Sequence, residues 1–279
     1  MARYRGQSNT AGRKFLWVSL LFLALVPAGL WALGESDLGT ALVEASLFEK
    51  LRQSFMANII AEGRWRLILE GLKATLFISA GATVGGSALG GLVCAMRMSK
   101  RPVLQTLARS YIFLIRGMPV LLLLMLTFYV VFASARIAPV TVAIIAFGIN
   151  FSAYVAEMFR TGIEGVADGQ IEAGLALGFT RFKTFYYIVL PQALRRILPV
   201  YRGEFMTMVK TTSIVGYIGV QDLTRAGDII RSRTFEAFFP LMLVTVFYFA
   251  IIWFLGLALD YVERRTAPRR SQGAEGLPL

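Results

Sequence analysis

The chain has 279 residues, of which 56% are apolar and only 16% charged, well below the charged fraction of about 25% in soluble domains. With no histidine and a single cysteine, Cys94, an internal disulfide, a Cys/His metal site and imidazole catalysis are excluded. The net charge of +12 is not gathered into one patch, as nucleic acid would require, but falls in clusters beside long apolar runs, so the expected solvent is the lipid bilayer and no nucleic-acid partner is expected.

In chain order, Arg3, Arg5, Arg13 and Lys14 precede the first apolar run. Arg97, Lys100, Arg101 and Arg109 follow the second, and Arg264, Arg265, Arg269 and Arg270 follow the last. The positive-inside rule places all three clusters in the cytoplasm. Residues 1–14 are then a basic cytoplasmic terminus and 15–33 a first outward span. A cleaved signal peptide is the alternative for 15–33, against which stand the length of the run and the lack of a clear A-x-A site. Residues 34–66 form an external connector, in which Leu47, Phe48, Leu51, Phe55 and Ile59 recur at helical spacing and predict an amphipathic surface helix over 45–60.

The second span, 67–96, contains GATVGGSALGG. Its glycines imitate part of a phosphate-binding loop without the lysine, so it does not bind ATP; Gly81/Gly85 and Gly86/Gly90, four apart, instead predict close helix packing. The third span begins after Arg109 and carries Arg116, Gly117 and Pro119, which predict a bend. An external turn over 135–139 leads to the fourth span, 140–159, with Asn150, Tyr154 and Glu157 on one helical face. Glu157 is a candidate for the transport path, or else it pairs with Arg160 or Lys210. The fifth span, 198–220, puts Glu204, Thr207 and Thr211 on one face with Lys210 nearby, extending a polar lane. The sixth, 238–259, is uniformly apolar and reads as lipid-facing, and 263–279 is a cytoplasmic tail. The expected fold is an all-α integral membrane bundle of about six transmembrane helices, with one transmembrane domain over 67–262.

Between the fourth and fifth spans lies a long cytoplasmic loop, 160–197, and long loops tend to be functional. Residues 171–177 predict a short helix with Glu172 near its positive end and Gly178 as the left-handed residue that stops it. Ala173, Gly174 and Ala176 leave its flank bare for a partner, while Leu175, Leu177 and Phe179 offer apolar docking surface. A second helix, 181–190, leads back to the membrane and is interrupted by Pro191.

Glu172-Ala173, then Gly178, then Ile188-Val189-Leu190-Pro191 match in residue and spacing the signature of membrane subunits of bacterial ABC importers, with Gly174 in place of the third alanine. Gly169-Gln170, Arg116-Gly117-Met118-Pro119 and Lys210-Thr211-Thr212-Ser213-Ile214 resemble, more narrowly, the permeases for polar amino acids. Met118 stands where threonine is frequent and Thr211 where an acidic residue is frequent. The resemblance runs from about residue 64 to 265 and implies a type I ABC importer permease in the bacterial inner membrane, with both termini cytoplasmic. It implies that Glu172, Ala173, Gly174, Leu175, Leu177, Gly178 and Phe179 form a coupling helix seated on a dimer of cytoplasmic ATP-binding subunits. ATP and magnesium would be bound by that partner, and this chain would hold no cofactor and hydrolyse nothing. A second permease subunit, identical or homologous, and an extracytoplasmic amino-acid-binding protein are the other implied partners. Asn150, Tyr154, Glu157, Glu204, Thr207, Lys210 and Thr211 are the expected substrate pathway, with Glu157 and Lys210 facing the two ends of a zwitterion. An ion-gradient-driven transporter and a non-transporting scaffold remain as rival readings.

Overall fold

The computed structural model describes residue 49 and residues 52–266. It divides into two units, Met1–Met56 and Ala57–Leu279. In the described part of the first, Arg52 pairs with Glu49 at 3.2 Å. The predicted span over 15–33 lies outside the described residues, as does most of the basic tail; of the surface helix predicted over 45–60, residue 49 and residues 52–60 are described and are helical, with a π turn at Met56–Ile60.

Among the described residues of the second unit every regular element is helical. α1 is Trp65–Arg97, α2 is Pro102–Gly117, and α3 is Val120–Leu126, continued by a π turn, Thr127–Val131. α4 is Pro139–Glu164, α5 is Asp168–Ala176, and α6 is Arg181–Thr184, followed by a second π turn, Phe185–Val189. α7 is Leu190–Thr211, which passes into a 3-10 stretch, Thr212–Ile218; α8 is Leu223–Thr234 and α9 is Phe238–Thr266. The expected bend is present: α2 and α3 meet at 105° across Met118 and Pro119. Proline lacks the N–H that would continue the ladder, and the residue before it is pushed to extended geometry, as Met118 is at ψ 132.

Three helices among the described residues, α1, α4 and α9, are long and apolar enough to cross a bilayer, and the bent pair α2–α3 makes a fourth if taken as one span. The predicted fifth span does not appear as drawn. Helix α7 starts eight residues earlier than expected, at Leu190 rather than 198, and gives way to the 3-10 turn at Thr212. It carries Arg195, Arg196, Arg202, Glu204 and Lys210, too much charge for a lipid-facing span by composition, so any crossing it makes depends on burying that charge against protein.

α4 is the hub. In its most apolar stretch 56% is buried, against 17% for α9, which makes α4 the core helix and leaves α9 largely uncovered, as its uniform apolarity predicts. Lipid chains are as apolar as leucine, so helices in a bilayer associate by close packing rather than by hydrophobic exclusion. The Gly86/Gly90 pair supplies it, whereas of the Gly81/Gly85 pair only Gly81 is packed, against Ile144, and Gly85 faces open space. A Cβ on Gly86 would fall 2.7 Å from the Gly148 carbonyl oxygen, and one on Gly90 2.8 Å from the Val155 side chain, so α1 and α4 run side by side almost in backbone contact. On the opposite flank Gly162 faces Ile197 of α7 at 2.3 Å by the same measure. Phe147, Phe151 and Val155 fill the space between, joined from α1 by Ile78 and Ala82 and from α7 by Met208. The N-terminal half of α1 receives α8: Leu223 N donates to Thr75 Oγ1 at 3.3 Å, and Asp222 caps α8 by accepting from Thr224 N and Arg225 N, both at 3.0 Å.

Gly90→Leu should therefore lower the thermal unfolding midpoint of the detergent-purified chain, at a cost of about 1–3 kcal/mol for forced overpacking. Gly85→Ala, where nothing lies within 4 Å, should leave the midpoint where it is.

Candidate functional site

Two features lie toward the C-terminal ends of α1 and α4: an exposed short helix and an arginine-lined cavity. The short helix is α5. It begins at Asp168, earlier than the predicted 171, because Asp168 supplies the acidic first-turn residue that favours the helix dipole. Glu172 falls a turn further in and is exposed. The helix ends as the sequence predicts. Gly178 has φ +80, its N–H donates to the Leu175 carbonyl at 2.9 Å, and Phe179 N–H reaches back to the Gly174 carbonyl at 3.1 Å, the paired bonds of a Schellman stop.

Ala173, Leu175, Leu177 and Phe179 all face solvent, Leu177 at 76% exposure. Gly174 does not. It is the one buried residue of α5, and a Cβ there would lie 2.8 Å from both Ile188 Cδ1 and Thr184 Cγ2. Its missing side chain thus serves a seat within the chain itself, on α6 and the π turn, rather than a flank left bare for a partner. The break expected at Pro191 is also absent: helical backbone runs from Arg181 through the π turn into α7, and that wider turn, with the Leu190 N–H reaching back to the Phe185 carbonyl, lies directly before Pro191, which has no N–H to give to the ladder.

The cavity has a volume of about 510 Å³ and is lined by Arg97, Arg109, Ile112, Phe113, Arg116, Gly117, Tyr154 and Glu157. Tyr154 and Glu157 come from the predicted polar face of α4. Glu157 Oε2 accepts from Arg160 Nε at 2.9 Å and Nη2 at 2.6 Å, and Glu157 Oε1 lies 3.7 Å from Arg97 Nε. The Arg116 guanidinium lies over the Tyr154 ring, 4.9 Å from its centre. Asn150 is partly buried on the same helix but is not a wall of the cavity. Nor do Glu204, Thr207, Lys210 or Thr211 line it. Thr207 and Thr211 spend their hydroxyls on their own helix, donating to the Gly203 and Thr207 carbonyls, while Lys210 is exposed and makes no ion pair with Glu157 among the described residues. The expected pairing of Glu157 with Arg160 is present; the joining of Glu157 to Lys210 is not.

Arg97, Arg109 and Arg116 are the cavity residues that sequence reasoning did not assign to a site. Charge next to an apolar run signals topology first, and only the fold shows that the same side chains share the walls of one cavity with Glu157.

The chain matches, over residues 86–269, the family described as binding-protein-dependent transport system inner membrane component. It belongs to that family. The chain is 37% identical over 202 residues to a glutamine transport system permease protein of Escherichia coli K12, covering 71% of this chain and 92% of the relative. A probable glutamine ABC transporter permease protein of Bacillus subtilis 168 is 33% identical over 203 residues, with 71% and 93% covered. Among solved structures, a chain from an amino acid ABC transporter with histidines has 38% identity and a TM-score of 0.67, covering 72% of this chain and 94% of that one. A chain of an inward-facing methionine ABC transporter, at 21% identity and TM-score 0.64, shares the fold over 75% of this chain and all of that one. The family match and the apolar helices make this a multi-pass membrane permease.

The seat at Gly174 has a direct check. Gly174→Val should lift α5 from Thr184 and Ile188, speeding amide exchange and protease cleavage around 174–181 while exchange in α1 and α4 is unchanged.

Proposed function

We propose that this permease is the transmembrane subunit of an ATP-binding-cassette importer that carries a polar or charged amino acid into the cytoplasm, driven by ATP hydrolysis in a separate subunit. The observation that carries the reading is the geometry of α5: a short helix with Leu175, Leu177 and Phe179 exposed, closed by left-handed Gly178 and resting through Gly174 on α6 and the π turn that leads into α7. An apolar, solvent-exposed knob on a rigid seat suits a protein partner better than it suits water. The relatives named for glutamine transport support the substrate class.

In this reading α5 docks on a dimer of cytoplasmic ATP-binding subunits, which bind the ATP and magnesium; a second permease copy or homologue completes the membrane path, and an extracytoplasmic binding protein delivers the amino acid. The site is the bacterial inner membrane with both termini cytoplasmic, and residues 67–262 act as one transmembrane domain with its coupling loop at 160–197. Glu172 and Ala173 belong to the docked surface.

The cavity is the inner part of the substrate path. Glu157 and Tyr154 meet the ammonium end of the amino acid. The carboxylate end falls to Arg109 and Arg116, which share those walls, rather than to Lys210, which does not. Asn150, Glu204, Thr207, Lys210 and Thr211 line the remainder of the path. Alternation between outward and inward openings follows when nucleotide closes the ATPase dimer and draws two α5 helices together.

Uptake into vesicles holding the permease, its ATPase and the binding protein tests the assignment. Glu157→Gln and Arg116→Met should each raise the KM for the amino acid about tenfold, the scale of one lost charged hydrogen bond, with Lys210→Met changing it far less. Gly178→Pro should abolish both ATPase docking and uptake; normal transport by that variant would sink the coupling role of α5.

A further inference from the structure

The base of α7 is tied to the end of α4 by more than apolar packing. Arg196, in the second turn of α7, donates from Nη1 to the carbonyl oxygen of Gly165, the residue that ends α4. That carbonyl is one of those a helix end leaves unpaired, and a cation there also suits the negative end of the helix dipole. One turn earlier, Gln192 Nε2 donates to the Ile188 carbonyl at 3.0 Å and to Gln170 Oε1 of α5 at 3.3 Å. Between these bonds Val166, Val189, Ala193 and Ile197 are packed into a buried cluster. Gly162 leaves no room for a Cβ because of Ile197, and a Cβ on Gly165 would fall 2.6 Å from the Arg196 guanidinium, which would have to move aside. The end of α4, all of α5 and the first turns of α7 are therefore one joined piece. Just beyond it, Pro199 interrupts the hydrogen-bond ladder of α7, and the half of the helix bearing Glu204 and Thr207 follows.

We propose that Arg196 is a positioning residue for ATP-driven transport: α5 is already seated on the helical run that leads into α7, and the clasp of Arg196 on Gly165 makes a displacement of that unit move α4 as well, where an unclasped chain would absorb the displacement in the short turn at 165–167. The proposal rests on the importer reading and adds to it the residue through which movement leaves the coupling loop. Arg196 is not among the residues that line the cavity, and its described hydrogen bond goes to Gly165, so its effect is on the yield of each ATP and not on substrate affinity or on docking.

The test is the number of ATP molecules hydrolysed per amino acid imported by the reconstituted complex. Arg196→Met keeps the stem of the side chain and removes its donors. The ratio should rise about tenfold, within the usual range of coupling between sites, while KM and co-purification of the ATPase are unchanged, and Arg196→Lys should recover most of the loss. Gly165→Ala pushes the guanidinium off its acceptor from the other side and should raise the ratio in the same direction, which keeps the test open if Arg196→Met does not assemble. An unchanged ratio in these variants, including one where both rates fall together, overturns the clasp and leaves the importer reading standing. Absence of ATP-dependent uptake by the wild-type complex overturns that reading and the clasp with it.

Discussion

The near-contact of backbones along α4 is the constraint on which the rest of the structure depends. In a bilayer nothing analogous to water squeezes helices together, so a stable core needs surfaces that approach closely enough for dispersion to matter. α4 meets α1 at Gly86 and Gly90 and α7 at Gly162, and each of these contacts would be spoiled by a single added carbon atom. Because α1 and α4 run parallel, their C-terminal ends arrive together. That brings Arg97 beside Glu157 and places the loop that carries α5 directly after the cavity. α7 runs back antiparallel along the same helix, so the loop that leaves α4 is clamped to the helix that follows it.

This arrangement joins two kinds of site without mixing them. The cavity is charged and rich in donors, with Glu157 held between Arg160 and Arg97 and with Arg116 laid over Tyr154. Helix α5 is short, apolar on its outer side and stopped at Gly178. One suits a small zwitterion; the other suits a protein groove. Helix α4 and the base of α7 connect them physically.

Much of this was legible in the sequence where a local rule decides the outcome. Gly117 and Pro119 announced the bend, Gly178 the helix stop, and Gly86 and Gly90 the close packing, because each depends on the chemistry of one or two residues; Gly85, of the other predicted pair, faces open space. The misreadings arose where tertiary context overrides such a rule. Pro191 looked like a break but sits in a first turn, and Gly174 looked like a bare flank but faces Thr184 and Ile188, contacts that no spacing in the sequence reveals. Helical periodicity put Tyr154 and Glu157 on one face, and the cavity agrees. Periodicity within single helices could not say that the α7 residues would stay off its walls, or that the arginines flanking α1 and α2 would form them, because those facts depend on how helices are rotated against each other.

In the proposed function, ATP hydrolysis in a partner, delivered through the loop between α4 and α7, drives amino-acid uptake. Its most direct test is uptake of labelled glutamine and a panel of other polar amino acids into vesicles containing this permease, its co-purified ATPase and the binding protein, with internal ATP supplied or withheld and ion gradients collapsed or imposed. The account predicts uptake that requires ATP and persists when every gradient is collapsed. Uptake that runs on an imposed gradient without ATP would contradict it and make Glu157 and its arginines part of an ion-driven carrier instead.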